Sequence, residues 1–453
     1  MPSDSLGPVA ASFDVGLLSP LSVGHDLAVG DDAIVDALVA AEVALVRALA
    51  AVGAADDGVA TAVSDALGWR GPGTGCRGHG VEAARLATAA PAGGNPVIPL
   101  VALLRERVPE GARAWVHRGP TSQDILDTAL SLVAAEAAAL VIDGLQQTAD
   151  TLTGFAVRHR DVVAAARTLT QHAVPTTVGA RAAGWVRGLR RAIARLEQSR
   201  AGLPVQLGGA AGTLASFVEE FGPEAAAALP AAYAAELGLA TPDAPWHTTR
   251  WPVTELGDAL VQAVDALGVV AADVATLSRT EIGELAESES GGSSTMPQKA
   301  NPVRAVLLRS AALRAPQLGA TLHVAAASAV DERPDGAWHA EWPTLRELLR
   351  LALGAAAQGA RLAAGLRLDE AAVARNLGLD GGRIVAERLA HTLVPLIGRE
   401  RFDALLARDG DLAERLREVP ELAGHDIAAL LDPAGYTGLA ARSVDELGTD
   451  RPR

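Results

Sequence analysis

The chain has almost no lysine: of its 39 lysines and arginines only Lys299 is a lysine, and the only methionine beyond Met1 is Met296. Aromatic residues make up 3% of it, and Cys76 is its single cysteine. One cysteine excludes a disulfide framework and a cysteine-built structural metal site. Its glycine-rich surroundings read Cys76 as a bystander. No block of basic residues offsets the net charge of −15, so the phosphate footprint of a nucleic-acid partner is missing. Apolar runs are everywhere interrupted by polar or charged residues, and residues 1–20 lack the basic segment of a signal peptide. The expectation is a cytoplasmic protein that does not enter a membrane.

What remains is rich in alanine and leucine and poor in β-branched runs. At 453 residues such a chain predicts an all-α fold of closely packed helices. Apolar residues recur on a helical period over residues 31–52 (Ile34, Leu38, Ala41, Leu45, Leu49), from Leu126 through Leu145 to Phe155, and from Leu256 through Leu267 on toward Leu285. Helices of this length expose more apolar surface than one chain covers, which predicts association into an oligomer. The polar breaks divide the chain into an N-terminal helical domain over 1–111, a central long-helix bundle over 112–356 and a C-terminal helical domain over 357–453.

The lone lysine lies in the break Gly291-Gly292-Ser293-Ser294-Thr295-Met296-Pro297-Gln298-Lys299-Ala300-Asn301-Pro302. Lysine is a compact, mobile point charge where arginine is a planar fork, so its retention here suggests a chemical requirement. The paired glycines let the backbone fold closely over something. Asn301 reads as an N-cap and Pro302 as a first helical position, and a helix N-terminus beside Lys299 makes a place for an anion. A plain Gly/Ser linker is the competing reading, and the residues that follow the serines speak against it.

A second break holds His117-Arg118-Gly119-Pro120-Thr121-Ser122-Gln123-Asp124. Thr121 with Asp124 has the form of a capping box; His117 and the Thr121 and Ser122 hydroxyls at the same helix start would also suit a carboxylate. A third, residues 167–179, contains Gln171 and His172, the latter equally readable as a packing residue. A fourth, residues 206–214, is glycine-rich but lacks the strand and the Lys-Ser/Thr ending of a phosphate loop.

His117-x-Gly119-x-Thr121-Ser122-x-Asp124 and Gly292-Ser293-Ser294-x-Met296-Pro297-x-Lys299-x-Asn301-Pro302 resemble two signature regions of the fumarase/aspartase superfamily. The similarity runs over nearly the whole chain. Gly94-Asn95-Pro96, Gln171-His172-Ala173, Trp246-His247-Thr248-x-Arg250 and Gly336-Ala337-Trp338-His339-Ala340-Glu341-Trp342 are similar to its cycloisomerase branch, which closes 3-carboxy-cis,cis-muconate to a lactone in aromatic catabolism.

The resemblance implies a homotetramer built around a central bundle, with each active site assembled from three subunits and no metal or organic cofactor. It implies that a small anionic polycarboxylate is the substrate and that Ser293 exchanges the carbon proton. Lys299 and Asn301 would hold the carboxylate that takes up charge. His117, Thr121, Ser122 and Arg250 would fix the others, with Gln171, His172, Ser294 and Met296 lining the pocket. Lyases of the superfamily commonly carry a histidine where this chain has Leu169. That departure agrees with lactone closure, whose leaving group in reverse is a carboxylate. The alternatives are a β-elimination lyase releasing fumarate from a substituted succinate, adenylosuccinate-like or nitrosuccinate-like, and a helical assembly protein without activity. Asp331 stands where the cycloisomerases more often show a histidine.

Overall fold

A computed structural model describes residues 15–289, 291, 296, 299–408 and 410–448. The described residues are mostly helical, as composition and periodicity predict, with two small antiparallel strand pairs added. The helices that matter for the site are α1 (Asp31–Ala51), α2 (Ser122–Arg158), α3 (Val178–Ala201), α4 (Pro223–Leu237), α5 (Trp251–Leu277), α6 (Val303–Ala327), α7 (Gly336–Ala364) and α8 (Glu370–Leu377). The strands are β1 (Val163–Thr168) with β2 (Gln171–Thr177), and β3 (Leu285–Glu287) with β4 (Leu366–Leu368).

The chain divides into two compact units, one made of residues 1–144, 192–265 and 310–357, the other of residues 145–191, 266–309 and 358–453. In the first, α1 packs on α4 and Arg47 Nε meets Glu236 at 2.7 Å. Small residues let helices approach closely: a Cβ at Gly144 of α2 would stand 2.9 Å from the Ala356 methyl of α7. In the second unit, β1 packs against α8. A cluster of Ile384, Val385, Leu389, Leu393 and Phe402 forms a local core beside them.

Three expectations change here. Residues 167–179 are not a plain polar break, because most of them form the β1–β2 hairpin. The helix expected to run on toward Leu285 stops at Leu277, and Leu285 opens β3. Finally, α2 and α5 do contain stretches long and apolar enough to cross a bilayer, although 61% and 50% of those stretches are buried inside the protein. Alanine and leucine buried against neighbouring helices give the same hydropathy as a membrane span.

Candidate active site

In the first unit the site begins where the chain enters α2. His117 has φ +57°, uncommon for a residue with a side chain. Gly119 has φ +96°, and a Cβ there would lie 2.6 Å from the Phe217 ring, so only glycine passes. Asp124, wholly buried, ties this entry together. Its carboxylate accepts from Thr121 N (2.9 Å), Gly208 N (2.9 Å), Gly209 N (2.9 Å) and the His247 ring at Nε2 (2.8 Å). The expected capping box is therefore half formed. Asp124 takes the Thr121 N–H, while the Thr121 hydroxyl accepts from Arg333, which also donates to Ala210 O at 3.0 Å. Asp124 thus pins the glycine-rich 206–214 loop to the start of α2.

The His117 ring meets Glu42 of α1 through Nδ1 at 2.7 Å. Burial works against the charged ring, but the Glu42 carboxylate outweighs it and holds His117 above its ordinary value. Arg250 is placed differently from a substrate ligand. It is 3% exposed and directs Nη1 and Nη2 to Asp127 at 2.7 and 3.0 Å. It also reaches Glu341 through Nη2 at 2.7 Å and Nε at 3.1 Å, and the Trp246 carbonyl at 3.3 Å. With its donors met inside the protein, Arg250 braces α2 and α7 one turn beyond Asp124. Burial raises the Glu341 carboxyl above its usual range despite the arginine.

In the second unit the β1–β2 register pairs Thr168 with Gln171 and Arg167 with His172, leaving Leu169 and Thr170 as a two-residue tip. Both have positive φ, +48° and +76°, the twist a two-residue hairpin turn requires. Leu169 is 97% exposed. Gln171 is exposed, and His172 Nδ1 meets Asp380 at 2.9 Å. Behind the tip, buried Glu284 accepts from Arg167 Nη2 at 2.5 Å and Asn376 Nδ2 at 2.9 Å and lies 3.6 Å from Arg181. Burial opposes its charge, but these donors draw Glu284 below the usual carboxylate range. An open cleft between hairpin and helices is lined by Gln171, His172, Arg181, Arg279, Asp380 and Arg383.

The lysine loop closes at its base through reciprocal bonds between Gly291 and Asn301, N to O at 3.0 and 3.1 Å. Lys299 and Met296 are exposed, and Lys299 N donates to Met296 O at 3.0 Å. Ser293 and Ser294 lie outside the described residues. Asn301 and Pro302 precede α6, which starts at Val303. The free amides of Arg304 and Ala305 are taken by Glu287, at 3.2 and 2.9 Å. A buried carboxylate from β3 therefore already occupies the helix end that Asn301 was expected to cap and an anion was expected to use.

His117, Thr121, Ser122 and Arg250 thus belong to one unit and Gln171, His172, Met296, Lys299 and Asn301 to the other. Glu42, Asp127, Arg333 and Glu284 went unread in the sequence. A lone Glu42 in an apolar helical run was the one signal available for them. Among the described residues no three His, Cys, Asp or Glu side chains are grouped to hold a metal ion.

Residues 95–316 match a family model described as Lyase. A nitrosuccinate lyase of Streptomyces davaonensis is 44% identical over 468 residues, 98% of this chain and 97% of that one. A 3-carboxy-cis,cis-muconate cycloisomerase of Pseudomonas aeruginosa is 42% identical over 389 residues, 82% of this chain and 83% of its own. The crystal structure of the 3-carboxy-cis,cis-muconate lactonizing enzyme from Pseudomonas putida superposes with a TM-score of 0.83 at 35% identity, covering 93% of this chain and 94% of that one.

Proposed function

Since the chain belongs to the fumarase/aspartase superfamily of lyases, we propose that it is an eliminase for a small polycarboxylate whose leaving group is a weakly basic anion. The observation that carries this is the hairpin tip: the position where superfamily lyases commonly keep a histidine holds Leu169, 97% exposed and unable to give a proton. A hydroxide or an unprotonated amine as leaving group needs an acid in the transition state. Nitrite and carboxylate do not, because each departs as the conjugate base of a fairly strong acid.

Between these, similarity over 98% of the chain favours a nitro-substituted succinate. A base takes a proton from the carbon next to one carboxylate; its electron pair becomes the C=C bond as the C–N bond breaks, and nitrite leaves with the bonding electrons. The products are fumarate, nitrite and one proton. The second reading is lactone closure of 3-carboxy-cis,cis-muconate, in which a carboxylate of the same molecule adds to a double bond; likeness to the lactonizing enzyme over 93% of the chain favours it. In both, charge passes onto a carboxylate that fixed donors must hold.

Ser293 is the base by its place in the motif, with Lys299 and Asn301 beside it on that charged carboxylate. His117, Thr121 and Ser122 hold the remote one. Arg250 supports this pair of helices from within. A homotetramer with sites shared by three subunits would bring such groups together. The exposed apolar residues Val306, Leu313 and Val324 of α6, Leu140 of α2 and Val269 of α5 support that assembly.

The test is the purified protein with 2-nitrosuccinate, following fumarate and nitrite, and separately with 3-carboxy-cis,cis-muconate, following loss of the diene. Fumarate and nitrite in equal amounts, lost in Ser293→Ala, is the expected outcome. Diene loss alone selects the second reading, and inertness toward both contradicts the proposal.

A further inference from the structure

Helix α1 is buried along most of its length, and from Leu38 to Val46 every residue but one is alanine, valine or leucine. The exception is Glu42, with 1% exposure. A carboxylate in such surroundings costs several kcal/mol unless a cation or several donors answer it. Glu42 Oε1 has the His117 ring at 2.7 Å, and Oε2, buried, has no hydrogen-bond partner among the described residues. His117 is therefore the one described group placed to compensate the acid.

The other half of the pair is just as constrained. His117 sits at φ +57°, immediately before the turn that leads into α2. Its side chain keeps 19% of its surface accessible where that of Glu42 keeps 1%. A ring whose Nδ1 is committed to a carboxylate has only Nε2 left to offer.

We propose that Glu42 is a positioning residue for His117: its buried carboxylate takes the ring's Nδ1–H, so that an imidazolium presents its Nε2–H to a carboxylate of the substrate. Which ligand the ring meets rests on the function proposed above; the pairing does not. The other charges acting on the ring are Arg105, which opposes the imidazolium, and Asp124, which favours it. Net, His117 stands above its ordinary value, so the ion pair is fully formed below the pH where a free histidine titrates and fades as pH rises through the folded-state value. Binding through the imidazolium weakens over the same range.

The decisive observation is a titration of the full-length protein carrying 15N-labelled histidine, with the His117 signals assigned by their loss in His117→Gln. The expected result is that the midpoint of His117 in the wild type lies above that of an unperturbed histidine. Glu42→Gln should then lower the midpoint by a pH unit or more, and Glu42→Asp should restore part of it. In activity, Glu42→Gln should raise KM for 2-nitrosuccinate about tenfold, with less effect on kcat, and move the alkaline rise of KM to lower pH by the same interval. A wild-type His117 midpoint at or below that of an unperturbed histidine overturns the proposal even if Glu42→Gln does not fold. An unchanged midpoint in a folded Glu42→Gln protein overturns it as well. If the ring moves as expected while no polycarboxylate turns over, the functional reading fails and with it the ring's task; a ring indifferent to Glu42 in an active enzyme removes Glu42 alone.

Discussion

The N–H groups of the Arg250 guanidinium are directed at Asp127, Glu341 and the Trp246 carbonyl, and Trp338 adds its indole N–H to Asp127 at 2.9 Å. Removing one member of such a buried set leaves the others charged and unanswered, at a cost of about 3–5 kcal/mol. Arg250→Ala should therefore lower the free energy of unfolding by that amount, read as a fall in the denaturant midpoint at unchanged m. Arg250→Lys should fall well short of rescue, because an ammonium cannot bridge two carboxylates as a planar fork does. A fully stable Arg250→Lys protein with a raised KM would instead make Arg250 a substrate ligand, as its motif suggested. The relation of Thr121 to Asp124 could be read in the sequence because the residues are three apart on one helix start. The partners of His117 and Thr121 could not: Glu42 and Arg333 are 75 and 212 residues away, and no local rule reaches across that distance.

The elements show the same boundary between local and distant causes. Long helices were legible from their period, down to the start of α1 at Asp31. The β1–β2 hairpin was not, because its tip is Leu169-Thr170 in place of the Asn-Gly or Asp-Gly that signals a two-residue turn. The cap of α6 was misjudged for a related reason: Pro302 marked the helix start correctly to within a residue, but the capping carboxylate comes from Glu287 on another element. Losing a side-chain N-cap costs about 1 kcal/mol, up to about 2 in protein hosts. Glu287→Ala should thus speed amide hydrogen exchange at Arg304 and Ala305 while leaving the centre of α6 protected. Unchanged exchange at those amides would show that the carboxylate contributes nothing to the helix start.

At the scale of the molecule, α2 with 37 residues and α7 with 29 give helices of roughly 55 and 45 Å at about 1.5 Å per residue. Apolar residues that remain exposed on the long helix α6, Leu313 at 77% and Val324 at 67% among them, are suited to meet other copies. Light scattering should return a mass near four times 46.2 kDa, and Leu313→Glu with Val324→Glu should shift it downward. A wild-type monomer that is fully active would contradict the shared site. The leaving group is tested most directly by one comparison: kcat/KM for 2-nitrosuccinate against malate, in the wild type and in Leu169→His. General acid catalysis contributes roughly 10²- to 10⁴-fold, so the wild type should prefer 2-nitrosuccinate by on the order of 10³ or more, and the added histidine should not speed its turnover. Comparable rates on malate, whose hydroxide cannot leave without a proton, would contradict this assignment of the leaving group.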